Sequence, residues 1–536
     1  MTASGSDSDP RSAGPFAPLR RSTYRSLLIA ALASNIGDWM ENVGSAWLMT
    51  ELSRSATLVG LVQTSSSLPF VLLGLPAGAL ADIVDRRRLL IATQVAAVAV
   101  LVLLTILTAF GMMTPALLLL FTFAIGVLAA AAAPAWQAIV PELVPRDELR
   151  SAVALNSATI NVARAVGPAL AGLLITVVGV AAVFLGNAVA FAFVVLLVAG
   201  WRATRTASAA PAEHLAGATR AGLRYARQSL ELRAVLVRTA LFALPVGAIW
   251  ALLPLVARAR FGGDGGLAYG VLLGLLGAGG IAGVVIMPRL RLRFSIDRLI
   301  AGGSIGMAAV LLILDLPVWP PVLGAAAVVG GIAWLSVVTN LNAATQFRLP
   351  DWVRARGLAV FQMVFQGSLA ASGLVWGIAA DAAGLQPALT LSAVTVIVGV
   401  LIGMGWPLAA GEDLNLRPAS LWPSPDITDG LDLDDGPILV EVRYHVKPAP
   451  AAEFSGAMAA LERLRRRDGA TRWVLAEDTA DPTLFVESFT VESWAEHLRQ
   501  HGRSTEADRQ VEERVLSLQI ADVPVEVHHL VMRAGN

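Results

Sequence analysis

Long apolar segments separated by short arginine-rich loops constrain this chain more than any other feature of its sequence. A helix needs roughly 20 mostly apolar residues to cross the hydrocarbon core of a bilayer. On that rule the sequence predicts twelve spanning helices, at about 25–50, 57–80, 88–110, 115–140, 151–175, 179–200, 233–256, 267–288, 298–315, 320–346, 357–380 and 386–408. With 56% hydrophobic and 15% charged residues, the 536-residue chain is too apolar for an ordinary soluble enzyme. The predicted fold class is therefore an all-α membrane protein.

The arginines predict how the helices are oriented. They cluster in alternate loops, as at Arg86–Arg88 and Arg289–Arg293, whereas the remaining loops carry only Arg54, Arg258 and Arg260. Because arginine-rich loops stay in the cytoplasm, both termini are expected on the cytoplasmic side of the inner membrane. Zero cysteines exclude disulfides and cysteine-based metal sites, and a net charge of zero gives no reason to expect nucleic-acid binding.

A weak internal repeat divides the membrane part in two. Pro145 and the run from Arg150 recur as Pro350 and the run from Arg356, between the fourth and fifth and the tenth and eleventh predicted helices. Two parallel six-helix halves with a pathway at their interface form a transporter plan. The predicted organisation is a disordered cytoplasmic tail at 1–22, a six-helix half at 23–200, a cytoplasmic loop at 201–232, a second half at 233–408, an acidic linker at 409–437 and a ferredoxin-like domain at 438–536.

The C-terminal segment has the pattern of a small α+β domain. Apolar residues alternate from Ile438 to Val446, helical spacing follows from Phe454, and a hairpin, a helix from about Ser493 and a last strand come after it. The order βαββαβ is ferredoxin-like. The run at 483–501 resembles the antibiotic-biosynthesis-monooxygenase type of dimeric α+β barrel, which implies a homodimer through this domain. His497 and His501 are spaced to seed a metal site, but no third ligand stands at an obvious spacing, so we expect neither a metal nor a cofactor.

The loop after the second predicted helix resembles the signature loop of the major facilitator superfamily. The resemblance implies a gating role for six residues: Gly78, Asp82, Asp85, Arg86, Arg87 and Arg88. Asp85 and Ile83 depart from that signature, since the family commonly has glycine and arginine at those positions. The alternative is a positively charged membrane anchor, which the three arginines would provide alone.

The fifth predicted helix carries Gly167, Pro168 and Gly172, which resemble the motif of the exporting branch of that superfamily. Small residues allow close helix packing and the proline kinks the helix, so the glycine-rich eighth helix is the expected partner. Generic small-residue packing is the alternative. The run at 141–156, PELVPRDELRSAVALN, resembles the subgroup that includes the enterobactin exporter and macrolide efflux proteins.

Depth along the helices predicts a polar site. Asp38 lies about 13 residues beyond Arg25 and Arg164 about 14 beyond Arg150, which places both roughly 20 Å from the cytoplasmic interface. An acid and an arginine at one depth are candidates for an ion pair, since either alone is costly in a membrane. Glu41 is expected on the face of Asp38. Asn35 extends that face, and Asn161 is a further substrate candidate on the helix of Arg164. A static structural bridge is the alternative to a titrating group.

These features favour proton-coupled efflux of a small apolar or aromatic molecule, of the siderophore or drug class, by alternating access. The expected partners are that substrate, protons, the lipid membrane and a second copy of the chain. Two alternatives stay open. One is a membrane-anchored enzyme whose ferredoxin-like domain oxidises a small ligand, and the other is an importer.

Overall fold

The computed structural model describes residues 14, 16–145, 147–200, 215–408, 415–417, 419, 432–447, 451–521 and 523–533. Within these ranges the side chains at 75, 78–83, 138, 140–142 and 215–219 are not described. The chain divides into two compact units. One comprises Met1–Ala210, Arg238–Leu341 and Gln362–Trp406, and the other comprises Pro211–Val237, Asn342–Phe361 and Pro407–Asn536.

Helices dominate the chain as far as residue 403. In order they are α1 (Ser22–Leu52), α2 (Ala56–Ile83), α3 (Arg86–Ala109), α4 (Pro115–Leu143), α5 (Leu149–Val177), α6 (Val180–Gly200), α7 (Leu215–Gln228), α8 (Leu230–Val246), α9 (Ala248–Phe261), α10 (Gly265–Arg291), α11 (Ile296–Asp315), α12 (Pro320–Phe347), α13 (Asp351–Ala383) and α14 (Leu385–Gly403). Every predicted span falls on one of these helices or, for 233–256, on two. Two short 3₁₀ turns, Ala17–Arg20 and Gly262–Asp264, complete this part.

The described residues contain ten segments long and apolar enough to cross a membrane. One of them, Leu230–Arg291, is 62 residues long and includes α8, α9 and α10. Helix α1 is not among the ten, although it is 31 residues long. It carries Asp38, Glu41 and Glu51, which lower its mean hydropathy. A mostly helical membrane fold is confirmed, and the number twelve remains a prediction.

The helices place large apolar side chains on their outer surface. Leu196, Val285 and Leu401 are each more than 60% exposed. Exposure of this kind on helix after helix would be unfavourable in water, but lipid tails are as apolar as leucine. Small residues lie where helices meet: Gly44 of α1, for example, has Val183 and Phe184 of α6 where its Cβ would be. The outer surface is therefore suited to lipid and the inner one to close packing.

The predicted span at 233–256 is broken into α8 and α9. Pro245 has no backbone N–H and clashes with a continuing helix, and Gly247 follows it. The break is supported by neighbours: Ser392 of α14 donates a 2.7 Å bond to the Pro245 carbonyl, and the Ser372 side chain packs against Gly247. A carbonyl that the broken helix leaves free is thus bonded within the protein, as a membrane requires.

The second unit contains a four-stranded sheet. Its elements are β1 (Ile438–His445), α15 (Ala451–Asp468), β2 (Arg472–Glu477), β3 (Leu484–Val491), α16 (Trp494–His501), α17 (Glu506–Ser517) and β4 (Glu526–Val531). The sheet order is β2-β3-β1-β4 and every pair is antiparallel. The predicted element order is confirmed, except that the second helix is two.

The sheet buries one face under its helices. Ile438, Val440, Val442 and Tyr444 are buried while the residues between them are half-exposed, as the alternation predicts. Phe454, Met458 and Leu461 of α15 pack onto this face. This domain therefore has its own core.

Candidate functional site

A cavity of about 310 Å³ lies among the first six helices. A volume of this size is at the lower end of small-molecule sites. Apolar and aromatic residues form most of its wall, including Phe70, Trp136 and Phe191. Its polar lining residues are Ser34, Asn35, Asp38, Thr93, Gln94, Gln137 and Asn156. The cavity therefore offers apolar contact together with a few hydrogen-bonding groups.

Asp38 of α1 is the one ionisable side chain among the described lining residues of this cavity. It is half-buried, and no described basic group pairs with it. Asn35, one turn earlier, lines the same cavity and donates a 2.6 Å bond to the Ala31 carbonyl of its own helix. A carboxylate without a described cation partner, facing a small cavity inside a helical membrane protein, is a candidate functional residue.

Glu41 does not share the position of Asp38, contrary to the prediction. Its side chain is 4% exposed and does not line the cavity. It accepts a 2.6 Å hydrogen bond from the Ser45 hydroxyl, one turn further along α1. Three residues advance a helix by about 300°, so neighbours at this spacing are displaced by about 60°. That rotation is enough to place Asp38 at the cavity and Glu41 inside the packing of α1.

The predicted ion pair between Asp38 and Arg164 is not present among the described residues. The guanidinium of Arg164 lies 5.5 Å from the ring of Trp39, and its Nε is buried without a hydrogen-bond partner. Arg164 does lie at the level of Asp38 along α1, since Trp39 is the next residue after Asp38. The predicted direction of the Arg164 side chain is wrong: it points to Trp39 and not to Asp38, and successive helical residues project about 100° apart. A guanidinium held over a tryptophan face is a cation–π contact.

The amides of α5 differ from the prediction as well. Asn161 does not line the cavity, and its side chain donates a 2.9 Å bond to the Ser157 carbonyl. Asn156 does line it. Sequence reasoning also missed Gln94, whose buried Oε1 has no partner. Gln94 could have been recognised from the sequence as a candidate, because an amide within an apolar span such as α3 needs a hydrogen-bond partner in a membrane.

The gating loop is partly outside the described residues. Gly78 and Asp82 belong to the last turns of α2, but nothing is described of their side chains. Asp85 accepts a 2.9 Å bond from the Arg88 N–H and caps α3, which accounts for an acid where the family has glycine. Arg87 donates to the carbonyls of Val198 and Ala199, which caps the end of α6.

The export motif packs against the predicted partner. A Cβ on Gly172 would lie 3.0 Å from the Gly270 Cα, and one on Gly270 would lie 2.5 Å from the Pro168 carbonyl oxygen. Further along, Gly277 touches the backbone of Arg164. Gly167 faces α1 instead, where the Cβ of Trp39 occupies the space. The contact between α5 and the glycine-rich α10, predicted from sequence, is confirmed.

A second contact joins early and late helices at α2 and α13. A Cβ on Gly60 would lie 2.0 Å from the Gly373 carbonyl oxygen, so the two backbones touch directly. At the same end Asp381 of α13 accepts three hydrogen bonds, from the Ser55 hydroxyl (2.7 Å), the Ala56 N–H (2.7 Å) and the Thr57 N–H (2.9 Å). The N-terminus of α2 is therefore capped by a side chain from α13.

Within the second unit, the α+β domain contacts two helices that precede it in the chain. Arg224 of α7 forms a 3.1 Å ion pair with Glu496 of α16. Glu496 also binds Arg503, whose guanidinium lies 4.6 Å from the ring of Trp352 in α13. Burial raises the pKa of the Glu496 carboxyl, but hydrogen bonds and charges from three arginines outweigh it, and the pKa is lowered overall. The carboxylate is thus ionised and holds this contact together.

Comparison with known proteins agrees with a transporter. The profile of the transmembrane secretion effector family matches residues 13–535. The staphyloferrin A transporter of Staphylococcus aureus is 27% identical over 255 residues, which cover 47% of this chain and 64% of that protein. The multidrug efflux pump Tap of Mycobacterium tuberculosis is 26% identical over 422 residues, covering 73% of this chain and 94% of the pump.

Solved structures share the fold. The nucleoside transporter NupG has a TM-score of 0.59 and 13% identity, and the match covers 72% of this chain and 99% of NupG. A bacterial homologue of the human lysosomal transporter Spinster, in an inward-facing and unoccupied conformation, gives 0.58 and 13%, covering 74% of this chain and 97% of the homologue. At this identity the likeness concerns the fold alone.

Proposed function

The chain belongs to the transmembrane secretion effector family of the major facilitator superfamily, and we propose that it exports a small apolar or aromatic molecule by proton-coupled alternating access. Membership makes the chain a multi-pass membrane transporter and not an enzyme. The proposed site of binding is the cavity that Asp38 faces, and the proposed substrates are of the siderophore or drug class.

The substrate class rests on the cavity and on the relatives. An aromatic and aliphatic wall with a few amides favours an amphipathic molecule, and a single carboxylate admits a proton or a cationic group. Two relatives are named for staphyloferrin A transport and for multidrug efflux. The motif of Gly167, Pro168 and Gly172, of which Pro168 and Gly172 contact α10, resembles that of the exporting branch and supports export.

Alternating access is supported by the two glycine contacts. We propose that α1–α6 form one half with six spans and that α8–α14 form the other, with α8 and α9 together making one broken span. We also propose that the α5–α10 and α2–α13 contacts close the pathway on the side away from the chain termini. Contacts between glycine backbones can separate without side chains having to disentangle. The arginine distribution supports an orientation with that side outside the cell and both termini in the cytoplasm. Opening then requires the Asp381 cap to be released.

Proton coupling is assigned to Asp38. A carboxylate in a protein cavity at membrane depth changes its protonation when its exposure changes, because burial disfavours the charged form. Asp38 has no described basic partner that would hold it ionised, whereas Glu41 is buried and bonded to Ser45. Release of the substrate to one side and the proton to the other follows from a single site that is exposed to each side in turn.

The test is dye transport in inverted membrane vesicles energised by a pH gradient, with ethidium as the fluorescent probe. Asp38→Asn is expected to abolish gradient-driven accumulation while ethidium still binds. Glu41→Gln is the matched control, because glutamine can still accept the bond from Ser45, and it is expected to retain coupling. Normal coupling in Asp38→Asn would overturn the assignment. Movement of ethidium out of the inverted vesicles, and not into them, would identify an importer.

The α+β domain is proposed to be an accessory domain that pairs two copies of the chain. Its edge strand β4 exposes Leu530 and Val531, and Met532 directly after it is 42% exposed. An uncovered apolar edge is suited to another copy of the same edge. Leu530→Glu is expected to convert a dimer in detergent to a monomer, measured by light scattering, while efflux by a chain truncated after residue 408 reports whether transport needs the domain.

A further inference from the structure

Three histidines that are far apart in sequence meet in the α+β domain. His497 and His501 lie one turn apart on α16, and His529 lies on β4 beside the buried Val440 of β1. The Nε2 atoms of His497 and His501 are 3.2 Å apart. One ring nitrogen from each of the three residues falls within 4.8 Å of the others. The sequence offered only the helical pair, and the sheet supplies the third imidazole.

From this cluster we propose that His497, His501 and His529 bind one divalent transition-metal ion of the Zn²⁺ class.

The spacing of the nitrogens agrees with a metal site. Tetrahedral zinc has Zn–N distances of about 2.0–2.1 Å, which places two ligand nitrogens roughly 3.3 Å apart. The His497–His501 pair already has this separation, and a separation of 4.8 Å, the limit of the cluster, would have to shorten by about 1.5 Å. Helical residues at i and i+4 are a recurrent pair of metal ligands because they project from one face. Three imidazoles leave a fourth position open for water or a ligand.

The protonation of the cluster is suited to ligation. Burial, together with the neighbouring His501 and His529, lowers the pKa of His497 to about 3. Burial likewise lowers the pKa of His501 and of His529. Zinc binds neutral imidazoles, and the observation that brings these three to one ion is the closeness of their ring nitrogens.

The three imidazoles stack on one another and on Trp494, whose ring centroid lies 5.4 Å from that of His497, but they have few hydrogen-bond partners among the described residues. His497 is 2% exposed, and its Nδ1 is buried without a hydrogen bond of normal geometry, although the Gln500 side chain lies close to it. The nearby carboxylates are engaged elsewhere: Glu487 accepts from Tyr444, Arg465 and Trp473, and Glu496 binds arginines. The cluster therefore lacks the carboxylate that would be expected to stabilise charged histidines.

The ligand set also selects the metal. Imidazole nitrogens suit zinc, copper, nickel and iron, whereas magnesium and calcium prefer oxygen. No cysteine occurs in the chain, so thiolate does not contribute. His497 directly follows Glu496, which holds α7 through Arg224. A bound ion would thus fix the helix that makes this contact.

The experiment uses the full chain, purified in detergent with a tag that contains no histidine and stripped with a chelator. Zn²⁺ is titrated against a chromophoric competitor, and Co²⁺ is added separately to record its visible d–d absorption. We expect one equivalent of Zn²⁺ per chain and a tetrahedral cobalt spectrum. His501→Gln and His529→Gln are each expected to weaken binding by at least about tenfold.

His528→Gln is the matched control, since His528 is the neighbour of His529 on β4 but is exposed. It is expected to bind Zn²⁺ as the wild type does. An unchanged circular dichroism spectrum without metal shows that a variant is folded. Because His497 is buried, the Zn²⁺ affinity of His497→Gln is interpreted only if its spectrum is unchanged. Equal Zn²⁺ affinity in wild type, His501→Gln and His529→Gln, or no stoichiometric binding, would show that the cluster is a stacked, hydrogen-bonded group of histidines. None of these readouts depends on transport.

Discussion

The cap that Asp381 places on α2 is expected to control how often the α2–α13 contact opens. In Asp381→Ala the hydroxyl of Ser55 and the N–H groups of Ala56 and Thr57 lose their acceptor. Asp381 is exposed, so its contribution is that of a solvent-accessible cap and not of a buried ion pair.

Replacement of an N-cap by alanine costs about 0.5–2 kcal/mol. When the α2–α13 contact is open, water solvates the N-terminus of α2, so the substitution does not change the free energy of the open state. The loss of the cap therefore destabilises the closed state alone. A change of about 0.5–2 kcal/mol corresponds to roughly a 2- to 30-fold rise in the ratio of open to closed molecules. Asp381→Asn keeps one acceptor oxygen and is expected to fall between wild type and Asp381→Ala.

The measurement is a distance distribution between two spin labels. The chain contains no cysteine, so Arg54→Cys and Ala383→Cys introduce unique label sites beside the contact. Asp381→Ala is expected to enrich the longer-distance population by the stated factor. Asp315→Ala is the control, since Asp315 accepts a 3.0 Å bond from Thr390 within α11–α14. If the two variants give the same distribution, the cap does not hold the contact closed.

Three further outcomes are expected. Gly270→Val should lower the thermal stability and abolish efflux, because added atoms would meet the Pro168 carbonyl and overpacking costs about 1–3 kcal/mol, whereas Gly302→Ala, with nothing within 4 Å, should do neither. Gln94→Ala should change the apparent affinity for ethidium without changing the coupling to protons, as Gln94 offers a cavity amide and no charge; loss of coupling would contradict this. Glu496→Gln should accelerate limited proteolysis of α7, since it leaves Arg503 buried and less well compensated, while Glu462→Gln, which removes an i,i+4 surface pair, should not. Because the pKa of Glu496 is lowered in the folded state, the difference should be full above the ordinary carboxyl pKa and should be lost as the pH falls through the lowered pKa of the folded state.

Much of the fold could be predicted because each element depends on local patterns. Twenty-residue apolar runs, the alternation at Ile438–Tyr444 and the glycine spacing of α10 all report a surface that must be buried or must face lipid. The contact of Gly172 with Gly270 was predictable for the same reason, since two glycine-rich stripes leave little choice of partner. Such patterns indicate which surface of an element is buried or faces lipid, and how far along the helix a residue lies.

The site was harder to predict because it depends on rotation about helix axes. Asp38 and Arg164 were expected at one level of the helices, yet Arg164 points to Trp39 whereas Asp38 faces the cavity. An error of one residue turns a side chain by about 100°, which sequence arithmetic over 14 residues does not resolve. His529 was missed for another reason. Its neighbours are determined by the strand register across the sheet, and the residues next to His529 in sequence give no indication that it lies against α16.

The contact between Gly60 and Gly373 sets a rule for how this protein can evolve. Every replacement of glycine adds a Cβ, and at either position that atom would fall about 2 Å from the opposite carbonyl oxygen. The first substitution is therefore harmful whatever residue replaces glycine, and a second substitution across the contact only adds to the crowding. We expect both positions to remain glycine in relatives that keep the α2–α13 contact, and to change together only where the two helices have moved apart. A collection of related sequences in which the two vary independently would show that the backbones do not need to touch.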